Sequence, residues 1–515
     1  MRRRDVLIGL GAGVVALPLL GVTGIGVLWA RADRQVLTPA DGGRELWIPP
    51  LAKSTVVDGR RVFDLRVQAG QRDLGGPAPT PTWGVNGDYL GPTLRLRRGE
   101  HVQVDVSNGV DETTTMHWHG MHLPARMDGG PHQPIAPGAT WRPDWVVDQA
   151  AATLWYHPHP HGESGRQVYR GVAGMVIVDD EDSDGLGLPD TYGVDDVPVI
   201  ITDMSLDSRG RLDEGTRAFA FLGIVGDRVL ANGTPAAFHD VGTELVRLRV
   251  LNACTTRSHA LVLTDPDGGP RDYTLVGTDG GLLATPRIVD EVVLSPGERA
   301  ELVIGMTPGA TSTLRSVPVD LGLDPWNARL VGAHDTHDVL QLRAADSLRP
   351  SQALPDRLVD LVTVPTDENT PVRRFELIGN QINGRTMDHR RIDEVIEAGS
   401  TEIWEVTNGD GSPHNFHVHD VQFTVLDPAA DKPTHTGWKD TVYVPPGETL
   451  QLAIRFGRNT DPDVPYMYHC HLLLHENTGM MGQFVIVKPD QADRAAATAP
   501  NHPTDDPFAD ARHSH

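Results

Sequence analysis

Val102-Gln103-Val104-Asp105-Val106-Ser107-Asn108 sets an apolar residue at every second position and stops on asparagine. Val246-Arg247-Leu248-Arg249-Val250-Leu251-Asn252 follows the same plan, and so does Glu402-Ile403-Trp404-Glu405-Val406-Thr407-Asn408. Side chains on a strand alternate between faces, so this period reads as a strand with one buried face. An Asn-Gly pair precedes each run, at Asn86, Asn232 and Asn383, and a Pro-Gly turn follows each, at Pro137, Pro296 and Pro446. Another alternating segment comes after each turn, such as Arg299-Ala300-Glu301-Leu302-Val303-Ile304. Repetition at a spacing of roughly 150 residues predicts three copies of one β-sandwich built from antiparallel strands. They are expected at about 45–180, 190–345 and 355–489. Acidic, Gly-rich Asp180 to Asp196 reads as the first linker and Ala344 to Pro355 as the second. The tail, 490–515, is rich in Asp, Ala and Pro and is expected to be disordered.

Composition agrees with that plan. A chain of 515 residues is too long for one hydrophobic core. With 54 Gly and 40 Pro, it favours short strands and turns over long helices. A formal net charge of -24 argues against a nucleic-acid partner. Two cysteines, Cys254 and Cys470, exclude a disulfide framework. Cys254 lies in a strand-like run and reads as a buried, inert thiol.

The N-terminus, 1–34, carries an address. Arg3-Arg4-Asp5-Val6-Leu7 resembles a twin-arginine export signal, ahead of an uncharged stretch from Val6 to Ala30. That route carries folded proteins, which suits a protein loaded with metal before export. The stretch is long enough to span a bilayer, and Arg31 makes Ala30 and Ala32 a poor cleavage site. The expectation is export to the periplasm, envelope or exterior. The segment is either cleaved or kept as an anchor, the one membrane contact foreseen.

The histidines are clustered. His117-Trp118-His119, His157-Pro158-His159, His417-Val418-His419 and His469-Cys470-His471 are four His-x-His pairs, all in the first and third repeats. On a strand each pair points two imidazoles into one space, and neutral imidazole is a preferred ligand of copper and zinc. The second repeat has His239, His259, His334 and His337, and none of them forms a His-x-His pair. In His469-Cys470-His471 the thiolate points away from both imidazoles, so one strand can touch two metal sites. His414, Cys470, His475 and Met480 supply the thiolate, two imidazoles and weak axial thioether of a blue-copper electron-transfer site. Zinc has no redox chemistry and would make that arrangement pointless. A one-electron acceptor wired to a multi-ion cluster points to O2 as the final acceptor.

These motifs resemble the multicopper oxidases, the laccase-like and copper-efflux-oxidase type with three domains. Thr82-Trp83-Gly84-Val85-Asn86-Gly87, Thr153-Leu154-Trp155-Tyr156-His157 and Trp438-Lys439-Asp440-Thr441-Val442 extend the likeness over nearly the whole chain. The resemblance implies an all-β fold of three cupredoxin-like Greek-key β-sandwich domains, with four copper ions. His117 and His417 would hold the type 2 copper. His119, His157, His159, His419, His469 and His471 would hold the type 3 pair. His414, Cys470, His475 and Met480 would hold type 1. Asp128 and Glu476 match family acids that supply protons for reduction of O2 to water. His122, His132 and His161 lie near the motifs but read as supporting or surface residues.

Asp420 departs from the family, which has Gly after this His-x-His. Copper-efflux oxidases often carry a Met-rich insert, yet only Met387 lies between 350 and 400, and Ser412 stands where a Met is expected. The reading is therefore a laccase-like oxidase of phenols or aromatic amines. The alternative is a metallo-oxidase of Cu(I), Fe(II) or Mn(II) in metal detoxification. A non-enzymatic cupredoxin scaffold, as in the family's cell-division members, is disfavoured because those have lost their copper ligands.

Overall fold

The computed structural model describes residues 35–36, 42–214, 223–426 and 432–491. The expected export segment and all but the start of the expected tail lie outside them.

Among the described residues, six sheets form three facing pairs. In the first pair, His101–Asn108, Arg60–Arg72 and Thr80–Val85 lie in one sheet, and His117–His119, Ala152–His157, Gly174–Asp179 and Leu94–Arg97 form the other. Phe63, Val104 and Val106 from one face meet Leu94, Trp118, Leu154 and Tyr156 from the other in a continuous core. A second core gathers Val199, Val250, Leu302 and Leu340, and a third gathers Phe375, Trp404, Phe416, Tyr468 and Phe484.

The repeat extends to single hydrogen bonds. Asn86, Asn232 and Asn383 each take a left-handed backbone, which Asn tolerates better than most residues. Each side chain spans two residues of a neighbouring strand. Asn232 accepts from Ile200 N at 2.7 Å and donates to Pro198 O at 2.8 Å. Asn86 does the same to Arg66 and Asp64, and Asn383 to Glu376 and Arg374. Asn108, Asn252 and Asn408, which end the three alternating runs, are buried. Each donates twice to carbonyls, and its own carbonyl accepts from the glycine of the following Pro-Gly turn. These asparagines are capped turns of one repeated design.

Three expectations need correction. The alternating runs are antiparallel to the strands after their Pro-Gly turns, but parallel to an earlier strand on their other side. Parallel neighbours need a long crossover. The chain supplies it by visiting the opposite sheet between them, as Leu94–Arg97 does between Arg60–Arg72 and His101–Asn108. The second linker does not begin at Ala344, because the strand Thr336–Arg349 runs through it and pairs with Ala237–Thr243. The start of the first repeat also shifts. Arg44–Glu45 pairs with Ala237–Phe238, and Leu46 packs into the second core.

Alternation then aims the histidines. In Ala152–His157, Leu154 and Tyr156 face the first core, which turns His157 outward. In the third repeat Tyr466, Tyr468 and Cys470 face the core, which turns His469 and His471 outward. The two tyrosines before His157 and His469 are held in the same way. Tyr156 lies opposite Gly174 and Tyr468 opposite Gly482 on the neighbouring strand. A Cβ at either glycine would stand 2.2 Å from the tyrosine ring. Gly174→Ala and Gly482→Ala should each destabilise the fold by about 1–3 kcal/mol through overpacking. Gly305→Ala, where a Cβ meets nothing within 4 Å, should leave the denaturant midpoint unchanged. Equal midpoints for all three variants would show that the tyrosines are not so held.

Candidate metal centre

All eight outward-facing imidazoles of the His-x-His pairs meet in one buried chamber between the first and third repeats, each at most 1% exposed. Strand register brings them there, with His117 opposite His157 and His417 opposite His469. Metal-competent groups within the chamber include His117–His119–His157, His117–His417–His419 and His159–His419–His469. The ring of His471 lies 4.9 Å from that of His119 and 5.2 Å from that of His157.

Most rings are oriented by their second nitrogen. Nδ1 of His117 donates to Asp128 O, of His157 to Pro158 O, of His417 to Asp440 O and of His469 to Cys470 O, at 2.8–3.1 Å. His419 Nδ1 donates to the Asp128 carboxylate at 2.8 Å, and His119 Nε2 to the Asp440 carboxylate at 2.9 Å. Such partners fix the tautomer and leave the other nitrogen basic. In His419 and His469 that nitrogen is Nε2, and these two atoms face one another at 3.2 Å. His159 Nε2 approaches His469 Nε2 at 3.0 Å. Lone pairs converging at this distance fit a shared cation, whose tetrahedral ligands at about 2.0–2.1 Å stand about 3.3 Å apart. His117 Nε2, His119 Nδ1, His157 Nε2, His417 Nε2 and both His471 nitrogens are buried with no hydrogen-bond partner among the described residues.

Burial, and then the charge that neighbouring rings would carry, holds these imidazoles well below their ordinary pKa, to about 3 for His157. They are neutral, the form that binds metal. Burial also raises Asp128 well above the usual carboxylate range and Glu476 to about 8. Glu476 stands 3.5 Å from His159 Nδ1 and 3.4 Å from His469 Nδ1, beyond good hydrogen-bond reach of both.

On the core side of the same strand, Cys470 Sγ lies 3.6 Å from His475 Nδ1 and 3.8 Å from His414 Nδ1. These three form a buried metal-competent group, and Met480 is buried in the same core. Burial pushes the thiol up to about 12, so ionisation there calls for a cation. Cys254 is buried as well, beside His259 Nε2 at 3.4 Å, and burial raises its thiol pKa. Asp420 takes φ of 64°, the left-handed backbone that Gly120 takes at the matching place in the first repeat. Its carboxylate accepts from Leu123 N at 3.1 Å and so stitches the third repeat to the first. His122 lies 3.4 Å from Asp148, away from the chamber's ligand groups.

Sequence reasoning overlooked the support beneath the chamber. Asp440, which orients His119 and His417, is itself gripped by Arg299 of the second repeat at 2.6 and 2.7 Å. Arg299 also donates to Thr153 O in the first repeat. Lys439 pairs with Asp279 at 2.8 Å and Glu298 at 2.7 Å. A Cβ at Gly297 of the same repeat would stand 3.1 Å from the His471 ring. Asn415 accepts from His471 N at 2.6 Å and donates to Pro296 O at 2.9 Å. The signal available was Arg299 in an alternating run. Alternation alone places it on a solvent face, whereas here that face is an interface.

Comparison with known proteins agrees with this geometry. Family models described as "Multicopper oxidase" match residues 66–183 and 354–490. The chain is 32% identical to "Multicopper oxidase mco" of Staphylococcus haemolyticus, over 88% of this chain and 95% of that protein. It is 34% identical to "Cell division protein FtsP" of Salmonella typhimurium, over 85% of this chain and 92% of that one. The crystal structure of a laccase from Pediococcus acidilactici superposes with a TM-score of 0.78 at 33% identity, over 88% of this chain and 96% of that one. Such structures share the all-β, cupredoxin-like architecture expected from the sequence. The chain belongs to the multicopper oxidase family.

Proposed function

We propose that this protein is a copper-dependent oxidase that couples one-electron oxidation of phenols or aromatic amines to four-electron reduction of O2 to water. The single observation that carries the reading is the segment His469-Cys470-His471, which continues from the strand Tyr466–His469. Its thiol lies in one buried donor set with His414 and His475, and its two imidazoles lie in another. Bound copper would supply one-electron acceptance at the first set and multi-electron delivery to O2 at the second. We assign His414, Cys470, His475 and Met480 to type 1, and His117 and His417 to type 2. His119, His157, His159, His419, His469 and His471 are assigned to the type 3 pair, four ions in all. The spacing within His159–His419–His469 supports that part of the division.

The chain's own residues supply the rest. Asp128 and Asp440 orient rings from both halves of the chamber. Glu476 is buried between His159 and His469 and is assigned the delivery of protons to the chamber, with Asp128 as second acid. The domain limits follow the three cores, with the second repeat a spacer that holds the other two. Export by the twin-arginine route remains the proposal for residues 1–34.

A second reading, oxidation of Cu(I), Fe(II) or Mn(II), has one observation in its favour. Asp410, about a quarter exposed, stands 3.4 Å from His414 Nε2. Burial alone would raise its pKa. The His414 ring and the Gly379 and Ser412 amides hold it well below the usual range, so it is a carboxylate. It offers a metal ion a ligand beside the electron-accepting set.

Copper-loaded protein should bind four coppers per chain, show a strong visible copper–thiolate band, and consume O2 faster with phenols than with metal ions. Faster turnover of Cu(I) or Fe(II) would favour the second reading, and failure to hold copper would defeat both. Cys470→Ser should abolish the visible band and turnover. Glu476→Gln should lower turnover about 100-fold or more with copper content unchanged; wild-type turnover would remove its proton role. Asp440→Asn should lower cluster copper affinity or turnover about 10–100-fold while the visible band persists. An unchanged rate and copper content would show that Asp440 does not govern the rings.

A further inference from the structure

A cleft of about 710 Å³ opens at the seam between the second and third repeats, and no residue assigned to copper lines it. Its volume lies within the range of small-molecule sites, about 300–1,000 Å³. Segments 287–293 and 319–322 of the second repeat form one wall, and 432–435 and 443–448 of the third form the other. Part of the lining is apolar. Val293, Val319, Leu321 and Tyr443 pack in one cluster. The Tyr443 hydroxyl donates to Leu321 O at 2.8 Å and so ties the two walls together. Ile288 adds an apolar side chain that is 77% exposed.

The rest of the lining is charged, with an excess of one sign. Asp290, Glu291, Asp320 and Glu448 are exposed and outnumber Arg287 and Lys432. Glu298 is already neutralised by the buried ammonium of Lys439 at 2.7 Å. Among the described residues, none of the four exposed carboxylates belongs to an ion pair or to a metal-competent group. They do not converge on a point, so a bare metal ion finds no donor set there. His435 supplies an independent sign of a ligand. It lines the cleft and is 7% exposed, yet its ring nitrogens have no hydrogen-bond partner among the described residues. Burial, and then the charges of Lys439 and Lys432, hold its pKa down to about 3. The ring is neutral and offers one donor and one acceptor.

We propose that this cleft binds one small organic cation with an apolar body, of the protonated-amine class. The carboxylates attract the ammonium and repel an anion, the apolar cluster takes the body, and His435 offers the polar end a hydrogen bond. The occupant would bridge the second and third repeats. It would also lie one strand from the His414 donor, because Thr441–Val444 pairs with His414–Val418. The inference stands apart from the oxidase reading, because it uses none of the residues assigned to copper or to proton delivery.

The test uses copper-loaded protein and para-bromophenethylamine as the probe, with para-bromophenethyl alcohol and para-bromophenylacetate as its neutral and anionic counterparts. Calorimetric titration should show one amine bound per chain, more tightly than the alcohol, and no saturable binding of the acid. Added salt should weaken the amine. Glu291→Gln combined with Glu448→Gln should lower amine affinity about fivefold or more, with copper content and visible absorption unchanged. Both residues are exposed, so the core is spared. Bromine anomalous scattering from a soaked crystal should place the ring beside Tyr443, a readout that needs no variant. Equal affinity for the three probes, or unchanged affinity in the double variant, would overturn the proposal. So would a bromine peak found only elsewhere on the molecule.

Discussion

Basic nitrogens from separate strands are forced to face one another in a space closed to water, and the rest of the structure serves that constraint. Nε2 of His419 and Nε2 of His469 stand 3.2 Å apart with both Nδ1 protons committed elsewhere. Nothing in that contact attracts, so the surrounding protein must impose it. It does so chiefly with main-chain carbonyls, which accept from His117, His157, His417 and His469. These main-chain carbonyls carry no net charge. They hold the rings in place without adding charge to a space meant for cations.

Among the described residues, the chamber rings that hydrogen-bond to carboxylates are His119 and His419, and each carboxylate belongs to a different half of the chamber from the ring it orients. Asp128 of the first repeat holds His419, and Asp440 of the third holds His119. The two halves are therefore cross-linked through the imidazoles themselves. A buried carboxylate needs compensation, and Asp440 obtains it from Arg299 in the second repeat. That explains what the second repeat, which has no His-x-His pair, contributes to the molecule. Its Arg299, Asp279 and Glu298 form, with Lys439 and Asp440, a buried ionic floor beneath the chamber. Removing one partner of such a pair costs about 3–5 kcal/mol, so the floor also locks the three units together.

The parts legible in the sequence were those set by short periods. Alternation over two residues identified the strands, and it placed the cysteine and its flanking histidines on opposite faces. Asn-Gly and Pro-Gly turns marked the repeat, and the structure shows the Asn232 and Asn252 side chains closing it with hydrogen bonds. Parallel pairing was not legible, because it depends on where the chain goes between strands rather than on the strands themselves. The continuation of a strand through Ala344 and Ala345 was missed for a related reason: its composition suggests a loop, and its pairing with neighbours distant in sequence makes it a strand. Arg299 and Glu301 were invisible as interior groups, since one chain's alternation cannot tell solvent from another repeat. Asp420 looked like a loss of glycine. Its positive φ shows that the backbone kept the glycine conformation while the carboxylate gained a partner at Leu123.

The central claim is the proposal that one segment, His469-Cys470-His471, connects a one-electron-accepting set to a chamber that would complete a four-electron reaction. The most direct test is the ratio of donor oxidised to O2 consumed by copper-loaded protein, with peroxide measured alongside. The account predicts four one-electron donors per O2 and no accumulated peroxide. A ratio of two with stoichiometric peroxide would contradict it.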